Sequence, residues 1–92
     1  MEKKIKQAIR LLEDALIAKK NKSLKGSIRI HDDESITCWV MDKDENIVHP
    51  IYMLGQPHQV NQQTHSFVYD KSSGLTEKMY LQFILSTINL NK

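Results

Sequence analysis

The chain has 92 residues, 40% hydrophobic and 26% charged, with a formal net charge of +2. That length reads as one domain, 1–92, and the mix is that of a globular chain rather than a disordered or collagen-like one. The single cysteine, Cys38, excludes an internal disulfide framework and any CxxC metal or redox motif. No run approaches the roughly 18 apolar residues of a membrane span, and Glu13 and Asp14 interrupt the apolar stretch a signal peptide would need. The expected compartment is the cytoplasm.

Residues 2–21 predict an amphipathic helix. Ile5, Ala8, Ile9, Leu12, Ala15 and Leu16 share one face, widened by Leu11, with Lys3, Lys6, Arg10 and Asp14 opposite. Arg10 and Asp14, four apart, form a weak pair. Lys19, Lys20 and Lys22 crowd the end of the helix, where its dipole favours cations, and Asn21 and Gly26 are stop signals.

Residues 26–41 predict a hairpin, with strands over 27–31 and 35–41 and a turn at Asp32, Asp33 and Glu34. A three-residue turn sets Ile30 opposite Ile36 and Ile28 opposite Cys38, which joins the apolar faces. Arg29, His31, Thr37, Trp39 and Met41 then share the other face. A loop one residue longer or shorter would reverse the second strand and make Trp39 core.

Residues 42–46 predict a second turn and 47–54 a third strand. Pro50 inside that strand cannot donate to a ladder, so it belongs at an edge or a bulge. A polar loop follows over 55–64, then a fourth strand over 65–70, a break over 71–74 and a closing helix over 75–90. Ser73 and Thr76 compete to cap that helix. Leu81, Ile84, Leu85 and Ile88 form one side of it, Met79, Tyr80, Phe83 and Leu90 much of another, and Lys78, Gln82, Ser86 and Asn89 the polar sector. A helix apolar nearly all round is buried on more than one side. The expected fold is α+β: a helix, a mostly antiparallel sheet of three to four strands built on a meander, and a closing helix, with both helices on one face.

The motifs that would carry chemistry are weak. Asp42, Asp44 and Asn46 open like a calcium loop, but Ile47 stands where that loop needs Gly, and Met53 where it needs Glu. The four histidines, His31, His49, His58 and His65, lack metal-ligand spacing, although His49 and His65 could meet if they shared a face. Cys38 alternates with Ile36 and Val40 as a small core residue would. No nucleophile elbow, phosphate loop or dinucleotide fingerprint is present. The sequence therefore predicts a protein that is not an enzyme and needs neither cofactor nor metal.

Charge is segregated. Nine basic residues fall within 1–29, and Asp32, Asp33, Glu34, Asp42, Asp44 and Glu45 cluster within 30–45. Eleven of the thirteen basic residues are lysine, which disfavours base-specific recognition of nucleic acid. The expectation is a small oligomeric binding protein that acts through protein–protein contacts. Inhibitors and accessory factors of phages and mobile elements often have this style, and the Lys-, Ile- and Asn-leaning composition suits an AT-rich genome. The candidate binding residues are Arg29, His31, Trp39, Met41, His49, His58 and Tyr69. Tyr80, Phe83, Ile84 and Leu85 are the candidate contacts between subunits of a homo-oligomer. An alternative is a protein that sequesters a small nucleotide-like ligand between subunits, with Trp39 or Tyr69 stacking and Arg29 or lysines holding phosphate. A third is weak nucleic-acid binding through the basic helix face of Lys3, Lys6 and Arg10.

Overall fold

Spacing of three and four along the first segment gives the helix α1, Glu2–Lys19, and its predicted apolar positions Ile5, Ala8, Ile9, Leu12, Ala15 and Leu16 are all buried. The structure, a computed structural model, describes residues 2–20, 23–56 and 64–90. Helix α1 ends two residues before the predicted boundary because Lys20 turns left-handed, with φ 53° and its N–H bonded to the Ile17 carbonyl at 3.3 Å. That is a helix C-terminal cap made without glycine.

Gly26, expected as a helix stop, instead lies inside strand β1, Lys25–His31. Its role is one of space. A Cβ there would come within 3.0 to 3.2 Å of three Leu12 side-chain atoms. The missing side chain lets α1 settle directly onto the sheet.

Strand β2, Ile36–Met41, pairs antiparallel with β1 in the predicted register, Ile28 opposite Cys38 and Ile30 opposite Ile36. The turn between them is a three-residue loop closed by two bonds of 3.0 Å, His31 N–H to the Ser35 carbonyl and Glu34 N–H to the His31 carbonyl. Glu34 takes φ 68°. This is the type I turn plus left-handed residue common in three-residue hairpins. The next turn repeats it: Asp42 N–H bonds the Asn46 carbonyl, Glu45 N–H bonds the Asp42 carbonyl, and Glu45 takes φ 65°.

The third strand is shorter than predicted. An isolated bridge joins Ile47 to Met41, and the strand proper, β3, covers only Tyr52–Leu54. Pro50 sits between the two and has no N–H to offer. Strand β4, Thr64–Tyr69, pairs antiparallel with β1 rather than β3, so the sheet order is β3-β2-β1-β4. Three strands form the meander and the fourth lies beside the first, which is Greek-key order.

A short 3-10 turn, Lys71–Ser73, leads into helix α2, Glu77–Leu90. Thr76 caps α2, accepting the Met79 N–H on its Oγ1 at 3.3 Å. Ser73 receives the N–H of Leu75 instead. Buried residues of α1, α2 and one side of the sheet (Ile28, Ile30, Ile36, Cys38, Val40 and Tyr69) form one apolar cluster. Both helices therefore cover the same face, as expected.

Two outcomes follow. Gly26→Val should lower unfolding free energy in urea by about 1–3 kcal/mol, because Leu12 must move off the sheet. Glu34→Gly and Glu45→Gly should each raise it by about 0.5–1 kcal/mol, because glycine holds positive φ without the Cβ clash.

Candidate functional site

Strand alternation sends Lys25, Ser27, Arg29 and His31 of β1 away from the helices. Cross-strand partners point the same way, so Thr37, Trp39 and Met41 of β2, Met53 of β3, and Thr64, Ser66 and Val68 of β4 join them. No described element lies over this face.

Trp39 stands at its centre, half-buried, directly opposite Ser27. The Arg29 guanidinium lies over the indole, 5.1 Å from the ring centroid, in cation–π contact. Ser27 is 5% exposed although it points away from the helices, and it donates to the Met41 sulfur at 3.8 Å. His31 Nε2 and Thr37 Oγ1 are 3.1 Å apart. Ile47, bridged to Met41, and Met53 and Val68 at the two edges are each about half exposed. The result is an apolar band around an ordered Arg–Trp pair. Lys25, Arg29 and His31 are its basic side chains, and no carboxylate occupies any of these strand positions.

Four of the seven predicted binding residues, Arg29, His31, Trp39 and Met41, are thus brought together. Met53, Val68 and Ile47 belong to the same face and were missed. Their strand parity was legible, but their partner strands were not.

Three predicted binding residues need correction or fall outside. Tyr69 pairs with Gly26, which turns it toward the helices, and it is 4% exposed. Its ring packs on Tyr80 at 4.5 Å between centroids, and its hydroxyl donates to Glu13 at 3.4 Å. Burial, and then the Glu13 carboxylate, push the phenol up to about 12. It is a core residue and cannot stack a ligand beside Trp39. His49 meets Tyr52, its Nε2 2.7 Å from the hydroxyl. Tyr52 pairs with Cys38 and so belongs to the helix side. His65 pairs with Ile30, on the far edge strand from β3, so His49 and His65 do not meet. His58 lies outside the described residues, as does most of the predicted 55–64 loop.

The candidate subunit contacts divide in the same way. Ile84 is 1% exposed and Tyr80 7%, both inside the chain's own core. The Tyr80 hydroxyl accepts from the Asp70 N–H at 3.1 Å, donates to the Asp70 carbonyl at 2.9 Å and lies 2.8 Å from Ser73 Oγ. That ties the end of β4 to α2. Leu85 is half-buried against the core, and Phe83 is left open, 62% exposed.

Cys38 and Asp42 are held by their surroundings. Burial pushes the Cys38 thiol up to about 11, which keeps it protonated at neutral pH, whereas nucleophilic and metal-binding cysteines act as thiolates. Asp42 accepts the backbone N–H groups of Asn46 and Asp44, both at 2.9 Å, and the Asn46 bond above all holds its carboxyl below the usual range. Its turn binds itself. Among the described residues, no three His, Cys, Asp or Glu side chains converge as metal ligands, and no helix is long and apolar enough to cross a membrane. On the basic helix face, Arg10 turns to Glu77 of α2 at 3.3 Å rather than to Asp14.

Comparison with protein-family models, curated protein sequences and solved structures returns no match for this chain.

Tyr80→Phe tests the structural assignment. It should leave α2 in place but cost about 1–3 kcal/mol in thermal or urea unfolding, because a part-buried N–H and carbonyl of Asp70 lose their partner. An unchanged midpoint would remove the clamp.

Proposed function

We propose that this chain is a small, non-enzymatic binding protein whose open sheet face docks on another protein, and that it works as an inhibitor or accessory factor by occluding that partner. The observation that carries the reading is the Arg29–Trp39 pair at the centre of an uncovered apolar band. Trp and Arg are the side chains most enriched at binding hot spots, and a partly exposed apolar band of this kind marks an interaction surface. The partner surface this face fits is apolar and carries a carboxylate for Arg29 and Lys25.

Two features favour a protein over a small nucleotide-like ligand. Ligands of that size are held in concave sites, and Trp39 lines neither the cleft of about 530 Å³ at the end of α1 nor the one of about 420 Å³ between β4 and α2. Arg29 also already covers one side of the indole, where a flat ligand would stack. Acidic turns stand at both ends of the β1–β2 hairpin, which disfavours a polyanion laid along the strands. The proposed setting is the cytoplasm, where the buried thiol of Cys38 stays free.

Trp39 is the single tryptophan, so its fluorescence reports on the proposed site directly. Partners captured from extract by cross-linking should shift its emission blue, and nucleotides should not. Trp39→Ala should weaken capture by roughly 30-fold or more with near-normal melting, and Thr64→Ala at the rim should change little. Capture that survives Trp39→Ala, or a mutant destabilised by the roughly 3–5 kcal/mol of a core truncation, would sink the reading.

A further inference from the structure

The two edges of the sheet are built differently. Edge strand β3 is three residues long, and Pro50 lies two residues before it. Short length and nearby proline are devices that keep an edge from pairing with another chain. Edge strand β4 has neither. It runs six residues as Thr-His-Ser-Phe-Val-Tyr, with no proline, no lysine and no carboxylate. Among the described residues, no strand pairs with its outer edge, where alternate residues present N–H and C=O groups.

Beside that edge runs an apolar stripe. Leu75, Met79 and Phe83 recur every fourth residue from the entry of α2 onward and are 45%, 54% and 62% exposed. The Phe83 ring meets Phe67 of β4 edge-on, 6.1 Å between centroids. Phe67, Val68, Leu75 and Phe83 line the cleft of about 420 Å³ between strand and helix. These side chains are uncharged, and among the described residues Asp70 at the end of β4 is the one charged residue lining the same cleft.

We infer that the β4 edge and the Leu75–Met79–Phe83 stripe bind a second copy of this chain, β4 against β4 in antiparallel pairing about a two-fold axis. An open strand edge calls for a strand, and a two-fold interface must be complementary to itself. This patch satisfies that because antiparallel pairing of β4 with its copy puts Asp70 of the two chains at opposite ends of the shared edge, so no like charges meet there. Antiparallel pairing sets Ser66 and Val68 of both copies on the open face and brings the two Phe67–Phe83 pairs together on the helix side. The strand edge is about 20 Å long. The product is one eight-stranded sheet with an Arg29–Trp39 pair at two places on a single side. This inference stands independently of what that side binds.

Sedimentation velocity across the micromolar range tests it with the full chain, alongside amide exchange of β4 in dilute and concentrated samples. The expected result is a dimer whose residues 64–69 exchange more slowly than in the dilute monomer. Val68→Lys and Phe83→Lys, both at exposed positions, should each raise the dissociation constant at least tenfold with unchanged circular dichroism. A chain that stays monomeric throughout overturns the inference, as does a dimer indifferent to both variants. Should either variant lose its fold, exchange on the unaltered chain decides, and equal protection of β4 in both samples overturns it.

Discussion

The register of the β1–β2 hairpin decides which side of the sheet every other element meets. With Ile28 opposite Cys38, the residues Ile28, Ile30, Ile36, Cys38 and Val40 form a floor for α1, and Arg29, Trp39 and Met41 fall on the reverse. Strand side chains alternate with period two, so a slip of one residue would exchange the two sets. What prevents the slip is the three-residue loop between the two strands, and a second loop of the same kind sets Ile47 against Met41. Asp33 and Asp42 brace them by accepting backbone N–H groups, and Glu34 and Glu45 accept an unfavourable backbone angle to close them. Local strain at the turn between β1 and β2 thus fixes which of their residues form the core.

The helices then complete one side of the sheet only. Helix α1 approaches closely because Gly26 offers no side chain to Leu12. Helix α2 reaches the sheet at its β4 margin, held there by Tyr80 on Asp70 and by Phe83 on Phe67. Arg10 and Glu77 link the helices at the surface, a contact worth little by itself where it is exposed to water. Both helices lie on one side of the sheet, and the apolar residues of the reverse side remain uncovered by any described element.

Much of this was legible in the residues. The helix face of α1 followed from six apolar positions at regular spacing, and the hairpin register from three acidic turn residues between two alternating strands. The errors share a physical origin, which is that strand partners far apart in sequence leave no local trace. Tyr69 was assigned to the ligand face because β4 was not paired in advance. Its neighbours held the clue, since Phe67 and Tyr69 have one parity and Ser66 and Val68 the other. Helix α2 was legible as apolar all round, but not which of its sides the chain itself covers. Tyr80 and Ile84 turned out to be inside and Phe83 outside. Gly26 signalled a break and in fact marks a close approach, because a missing side chain serves both purposes.

The stacked Arg29 and Trp39 have a thermodynamic consequence. A free arginine on a surface samples many rotamers, and ordering one on binding costs roughly 0.5–1.5 kcal/mol. Here the guanidinium already rests on the indole, and the indole rests on a strand backed by the full core. Much of that entropy is surrendered during folding, once, before any encounter. A surface preorganised in this way favours fast docking by near-rigid contact over slow mutual adjustment.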